Sequence, residues 1–231
     1  MQLQAIVFDF DGVIADTEPV HLLAFQEELA SVGLTLSQQE YLERYLGYND
    51  REGFAAVAAA SGRTLGAEDI EQLIARKTVR VQALLRSTPL LFPGVEHRIR
   101  DWSARVPVAI ASGALRAEID TILNSTALSS CFRAIVTADD PVASKPSPAP
   151  YTLAMSRLAE GDGLGLAMRP DLCVAIEDSL WGIVSARAAG MRVVAVTTSY
   201  GASALSEADL VIPTVADLTL DMLDDVVAAR T

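Results

Sequence analysis

The stretch Ala5-Ile6-Val7-Phe8-Asp9-Phe10-Asp11-Gly12 decides the fold that we expect of this chain of 231 residues. Its apolar residues occupy consecutive positions, as in a strand of a parallel sheet that helices cover on both faces. Further apolar runs follow at Val106 to Ala111, Ala134 to Thr137, Leu172 to Ile176, Val193 to Thr197 and Leu210 to Ile212. Helical patterns separate them at Val95 to Arg105, Arg116 to Asn124, Pro150 to Ala159, Ser179 to Ala189 and Leu220 to Arg230. This alternation predicts an α/β fold with a doubly wound parallel sheet.

A long helical stretch interrupts the alternation once, between Phe10 and Val106. Its patterns predict helices at Pro19 to Val32, Ser37 to Leu46, Arg51 to Ala60 and Ala67 to Leu85. Pro89 to Gly94 holds two prolines and a glycine and is typical of a linker. We therefore expect a core of residues 1–16 and 92–231, and an all-helical domain of residues 17–91 inserted after the first strand.

The composition is typical of a globular protein, with 51 % hydrophobic residues and a net charge of −12. A chain this acidic does not attract nucleic acid or an anionic membrane through its overall charge. No apolar run reaches the roughly 18 residues that a membrane span requires. We expect the two cysteines, Cys131 and Cys173, to be reduced thiols in the core. The N-terminus shows no signal peptide pattern. We expect a cytoplasmic monomer that binds neither nucleic acid nor membrane.

Polar residues follow the predicted strands, at the point where each strand ends. They are Asp9, Asp11, Ser112, Gly113, Lys145, Glu177, Asp178 and Ser179. In open α/β sheets the ligand site lies outside the carboxyl ends of the strands, and right-handed crossovers bring those ends to one edge. Only two of the eighteen basic residues are lysines, Lys77 and Lys145, so a lysine in this setting suggests a specific need for its ammonium group.

These residue types together indicate phosphoryl transfer. Four clustered carboxylates repel one another, and a hard divalent cation with oxygen ligands, such as Mg²⁺, removes that repulsion. A metal ion and a lysine can hold a phosphoryl group, an aspartate can act as the nucleophile, and a second acid can transfer protons. Taken singly, each residue has a structural alternative: an aspartate as a turn former, a serine as a helix cap, a lysine in a solvated loop.

Four motifs in order along the chain resemble those of the haloacid dehalogenase superfamily, in its phosphatase form. The first is Asp9-Phe10-Asp11-Gly12-Val13-Ile14-Ala15-Asp16-Thr17-Glu18. Ser112 resembles the second motif, Lys145-Pro146 the third and Glu177-Asp178-Ser179 the fourth. The helical insert is similar to the cap of the subgroup that contains β-phosphoglucomutase and related sugar-phosphate phosphatases.

The resemblance implies a role for each motif residue. Asp9 would be the nucleophile and a Mg²⁺ ligand, and Asp11 the general acid/base that binds the metal through its backbone carbonyl. Ser112 and Lys145 would hold the transferring phosphate, with Gly113 beside them. Glu177 and Asp178 would complete the metal site.

The residues of the helical insert bear on whether the chain hydrolyses or isomerises a sugar phosphate. Thr17 and His21 match positions near the leaving group, and Asn49 would face the substrate on cap closure. Two cations that a mutase uses are replaced here by Leu46 and Asp50, unless Arg51 substitutes for the second, while Arg116 is a shifted substitute for a third.

We therefore predict a Mg²⁺-dependent phosphatase that hydrolyses a small phosphorylated metabolite, a sugar phosphate, through an aspartyl-phosphate. The alternatives are a β-phosphoglucomutase-type isomerase, and a phospho-accepting module similar to a response-regulator receiver. Isomerisation of a sugar phosphate would identify the first alternative, and a stable phosphoprotein without turnover would identify the second.

Overall fold

A computed structural model describes residues 2–45, 48–161 and 168–229, and its centre is a six-stranded sheet. The strands are β1 (Ala5–Phe8), β2 (Val108–Ala111), β3 (Ala134–Val136), β4 (Cys173–Glu177), β5 (Arg192–Val196) and β6 (Leu210–Ile212). Their order is β3-β2-β1-β4-β5-β6, and every neighbouring pair is parallel. The predicted α/β fold with a doubly wound parallel sheet is confirmed.

The first strand ends at Phe8, two residues before the end of its apolar run. The backbone turns there, because the carbonyl oxygen of Phe10 accepts hydrogen bonds from the amides of Ile14 and Ala15 at 2.8 and 3.0 Å. Phe10 itself is fully buried, so its apolar character reflects packing of the turn and not strand structure.

Residues Thr17–Pro89 form a compact unit of their own, which we call the helical unit. Its helices are α1 (Glu18–Ser31), α2 (Gln38–Arg44), α3 (Asp50–Ala60) and α4 (Ala67–Ser87). Ser37 and Asn49 cap α2 and α3, since their side-chain oxygens accept amide hydrogen bonds from the first turn. Phe25 and Phe54 pack with ring centroids 4.3 Å apart in a core that includes Leu29 and Leu73.

Residues Met1–Asp16 and Leu90–Thr231 form the second unit, which we call the core unit. Its helices are α5 (Val95–Ser103), α6 (Arg116–Ser125), α7 (Ala149–Gly161), α8 (Leu180–Ala188) and α9 (Leu220–Ala228). Every residue of β1, β2, β4 and β5 is buried, which explains why these strands are apolar at consecutive positions.

The chain returns to the core unit at Leu90, two residues before the boundary expected at residue 92. The amide of Asp16 donates to the carbonyl oxygen of Leu90 at 2.8 Å, and Ala15 forms an antiparallel bridge with Leu91. These backbone bonds attach Leu90 and Leu91 to the end of the first motif. Within the described ranges, no helix is both long and apolar enough to cross a membrane.

The strand order locates the ligand site. The chain runs from β1 outward through β2 and β3, and then resumes with β4 on the other side of β1. The order therefore reverses between β1 and β4, and open α/β sheets bind ligands at such a reversal, outside the carboxyl ends of the strands.

Candidate active site

Three carboxylates meet at the carboxyl ends of β1 and β4. Asp9 follows β1, Glu177 is the last residue of β4, and Asp178 comes next. The amide of Asp9 donates to the carbonyl oxygen of Ile176 at 2.9 Å, which continues the strand pairing to this level. One carboxylate oxygen from each of the three acids lies within 4.8 Å of the others, and all three residues are buried.

Lys145 supplies the positive charge of the cluster. Its ammonium nitrogen lies 2.6 Å from Oε1 of Glu177 and 3.0 Å from Oδ1 of Asp9, and its side chain is 13 % exposed. Burial acts to lower the pKa of Lys145, but the charges of Asp9 and Glu177 outweigh it and raise the pKa above its ordinary value. The lysine is therefore held as an ammonium ion against two carboxylates.

Glu177 is fully buried and surrounded by hydrogen-bond donors. Its Oε1 accepts from Lys145 and from the hydroxyl of Tyr151 at 2.7 Å. Its Oε2 accepts from the hydroxyl of Ser179 at 3.0 Å and from the amides of Asp178 and Ser179. A Cβ atom at Gly182 would lie 1.8 Å from Cδ of Glu177, so only glycine fits at this point of α8.

The Asp178 carboxylate is held by Ser199 and lies close to the backbone of Gly12. Its Oδ2 accepts a hydrogen bond from the hydroxyl of Ser199, and the hydroxyl of Thr198 donates to the carbonyl oxygen of Gly12. Gly12 has a φ of +76°, and a Cβ there would lie 1.9 Å from Oδ2 of Asp178. Glycine is thus required at position 12 both for its backbone conformation and for the close approach of Asp178.

The charges of the cluster fit a divalent cation. Burial raises the pKa of Asp9 well above its usual value, and the carboxylates of Glu177, Asp178 and Asp11 add to the effect of burial. Burial and the charge of Glu177 likewise raise the pKa of Asp178 to about 6. One lysine does not balance these carboxylates, whereas a divalent ion would, and ligands that are all oxygen suit Mg²⁺.

The remaining motif residues of the core unit lie at the same edge of the sheet. Asp11 is close enough to raise the pKa of both Asp9 and Asp178. Ser112 follows β2 and is 4 % exposed, and its hydroxyl oxygen accepts a hydrogen bond from the amide of Ala114 at 3.0 Å. Ser112, Gly113 and Lys145 line a cavity of about 180 Å³. Since a water molecule occupies about 30 Å³ in the liquid, the cavity has room for a phosphoryl group.

Arg116 is not brought to this cluster, so its expected contact with the substrate is not supported. Its guanidinium pairs with the carboxylate of Asp120, four residues on in α6, at 2.8 and 2.9 Å. It lines a separate cavity of about 720 Å³ beside β3, together with Arg133 and Arg157. Arg116 and Asp120 lie four residues apart on one face of α6, so the two side chains pair with each other.

The other expected substrate residues belong to the helical unit. The amide of His21 donates to the carbonyl oxygen of Thr17 at 3.1 Å, and Oδ1 of Asn49 accepts the amide of Glu52 as a helix cap. Burial and the charge of Lys77 lower the pKa of His21 to about 4, while Asp50 opposes them. Leu46, which we expected at the position of a mutase lysine, lies outside the described residues.

Four residues that contact the site were not predicted from the sequence: Tyr151, Gly182, Thr198 and Ser199. Thr198 and Ser199 closely follow the carboxyl end of β5. The expectation that polar residues after a strand belong to the ligand site would therefore have identified them as well. Tyr151 and Gly182 carried no such signal, because each reaches the site from within a helix.

The geometry agrees with what comparison with known proteins finds. Residues 6–196 match the haloacid dehalogenase-like hydrolase family. The chain is 33 % identical to protein CbbY of Rhodobacter capsulatus, over 87 % of this chain and 88 % of that protein. It is 31 % identical to the fructose-1-phosphate phosphatase YqaB of Escherichia coli, over 82 % of this chain and 94 % of that protein.

Among solved structures, the chain resembles a variant of CbbY from Rhodobacter sphaeroides in complex with xylulose-1,5-bisphosphate. The TM-score is 0.80 and the identity 26 %, and the match covers 96 % of this chain and 99 % of that one. The matching sequence, the shared fold and the acidic cluster at the strand reversal lead to one conclusion: the chain belongs to the haloacid dehalogenase-like hydrolase family.

Proposed function

We propose that this phosphoric monoester hydrolase removes the phosphate of a small sugar phosphate, using Mg²⁺ and an aspartyl-phosphate formed on Asp9. The observation that carries the proposal is the convergence of Asp9, Asp178 and Lys145 at the strand reversal. A relative named fructose-1-phosphate phosphatase and a neighbour that holds xylulose-1,5-bisphosphate support a sugar phosphate as the substrate.

The proposed reaction has two steps. The carboxylate of Asp9 attacks phosphorus, the bond from phosphorus to the ester oxygen breaks, and Asp11 gives its proton to the departing sugar oxygen. Asp11 then takes a proton from water as the water attacks the phosphoryl group. The bond from phosphorus to Asp9 breaks, so inorganic phosphate leaves and both carboxyl groups return to their starting forms.

Different residues of the core unit would bind the metal ion and the phosphoryl group. Asp9, Asp178 and the backbone carbonyl of Asp11 would hold Mg²⁺, which supplies positive charge to the phosphoryl oxygens. Lys145 adds a second charge from the side of Asp9, where its ammonium lies 3.0 Å from the carboxylate. Ser112 and Gly113 line the cavity beside that ammonium and would bind the remaining phosphoryl oxygens.

Substrate selection is assigned to the helical unit, as the family resemblance implies. Thr17 and His21 are the proposed substrate-binding residues there. Asn49 already uses its side-chain oxygen to cap α3, which leaves its amide nitrogen as the group that would bind a sugar.

The central test is Asp9→Asn, assayed for phosphate release and for isomerisation on a panel of sugar phosphates, with and without Mg²⁺. We expect wild-type protein to release phosphate only with the metal, and the variant to lose this activity because an amide is a poor nucleophile. Circular dichroism would verify that the variant is folded. Turnover by Asp9→Asn at the wild-type rate, or a stable phosphoprotein that does not turn over, would contradict the proposal. Isomerisation without release would favour the mutase.

A further inference from the structure

We propose that Tyr151 is a positioning residue: its hydroxyl holds Glu177 on Lys145, so that Glu177 orients the lysine and does not ligate the metal ion. The proposal rests on the function proposed above and gives two of its residues more specific roles. It departs from the assignment of Glu177 to the metal site that the sequence motifs suggested.

The hydrogen bonds of Glu177 leave it no capacity for a cation. A carboxylate offers about four lone-pair positions. Glu177 accepts from the Lys145 ammonium, the hydroxyls of Tyr151 and Ser179, and the amides of Asp178 and Ser179. A metal ion could bind Glu177 only by displacing these donors inside a fully buried site.

Asp9 and Asp178 differ from Glu177 in this respect. Oδ1 of Asp9 faces Lys145 and the amide of Phe10, and Oδ2 of Asp178 faces the hydroxyl of Ser199. Within the described part of the chain, no hydrogen bond engages the second oxygen of either carboxylate. These two oxygens are therefore the ones available to a metal ion.

Tyr151 contacts both members of the ion pair. Its hydroxyl donates to the same Oε1 of Glu177 that accepts from Lys145, at 2.7 and 2.6 Å. The Lys145 ammonium also lies 5.0 Å from the centre of the Tyr151 ring, within the range of a cation–π contact. Tyr151 is fully buried, so a phenylalanine in its place keeps the ring contact and removes only the hydroxyl.

The first test compares Tyr151→Phe with Tyr200→Phe, which removes the hydroxyl of an exposed tyrosine in the same unit. A hydrogen bond to a charged group is strong enough that we expect Tyr151→Phe to lower kcat about tenfold. For Tyr151→Phe, KM and the Mg²⁺ affinity measured by calorimetric titration should stay within about twofold of the wild-type values. For Tyr200→Phe, kcat, KM and Mg²⁺ affinity should all stay within about twofold of the wild-type values. A kcat for Tyr151→Phe equal to that of Tyr200→Phe would overturn the positioning role.

The second test uses metal binding alone and needs no turnover. Asp178→Asn should weaken Mg²⁺ binding by about tenfold or more, and Glu177→Gln by less than about threefold. Equal losses in the two variants would show that Glu177 is a metal ligand and overturn the proposal. If wild-type protein released no phosphate from any substrate, the proposed function would fail, while this titration would still decide the role of Glu177.

Discussion

At the scale of single residues, the site depends on how closely its groups approach one another. Gly182 illustrates this, because its backbone lies directly against the Glu177 carboxylate, and any Cβ would meet all three atoms of that group at 1.8 to 2.0 Å. The carboxylate cannot move aside easily, since Lys145 and Tyr151 hold one oxygen and Ser179 the other. A residue with no chemical function of its own therefore constrains the carboxylate that pairs with Lys145.

We predict that Gly182→Ala lowers the free energy of unfolding by about 1–3 kcal/mol, the usual cost of overpacking. Activity should fall as well, because a displaced Glu177 no longer orients Lys145. Urea unfolding and phosphate release measure the two effects. Gly201→Ala is the matched control, since a Cβ there has no heavy atom within 4 Å. Equal behaviour of the two variants would contradict the prediction.

At the scale of elements, three helices of the helical unit converge on a buried charged group. Lys77 on α4 is 6 % exposed and pairs with Asp50 on α3. Its ammonium lies 5.8 Å from the centre of the Phe25 ring on α1. His21, also on α1, is held neutral beside this pair by burial and by the charge of Lys77. The charges of the pair thus add to the effect of burial, in opposite directions, on the pKa of a residue that we propose binds the substrate.

We predict that Lys77→Met raises the pKa of His21 from about 4 towards its ordinary value, because a nearby positive charge is removed. Asp50→Asn removes the opposing negative charge and should lower that pKa further. NMR titration of the imidazole protons measures both, and His97→Gln assigns the signals, since the chain has only two histidines. Shifts of the same sign in the two variants would show that these charges do not control His21.

At the scale of the whole molecule, the chain divides into two compact units, and the tryptophans lie in one of them. Both tryptophans, Trp102 and Trp181, lie in the core unit, and the helical unit has none in its sequence. Tryptophan fluorescence therefore follows the unit that carries Asp9, Asp178 and Lys145.

We predict that Mg²⁺ shifts the tryptophan-detected urea transition of wild-type protein to higher urea. A ligand that binds only the folded state stabilises it, by about 2.7 kcal/mol at a hundred times its dissociation constant. Asp178→Asn should lose most of this shift, because it removes a proposed metal ligand. A full shift in the variant would place the bound ion elsewhere.

The sequence predicted the sheet and the position of the motif residues at its carboxyl edge, because in open α/β sheets polar site residues follow the strand ends. Asp9 and Ser112 follow strands that are apolar at every position, Asp178 follows a strand that is apolar up to Glu177, and parallel strands present their carboxyl ends together. The contacts of Tyr151 could not be inferred in this way, because they depend on the direction in which α7 presents one side chain. The expectation for Arg116 overlooked Asp120, a partner that lies one helical turn away.

Both lysines of the chain expose little of their side chains, 7 % for Lys77 in one unit and 13 % for Lys145 in the other, and each is paired with a carboxylate. Acylating reagents and amine-specific crosslinkers attack only the neutral, accessible amine, so the folded protein shields both side chains from such chemistry. Modification of either lysine would have to follow opening of the unit that holds it. Mass spectrometry of a briefly acetylated sample would thus report the opening of each unit through the lysine that it holds.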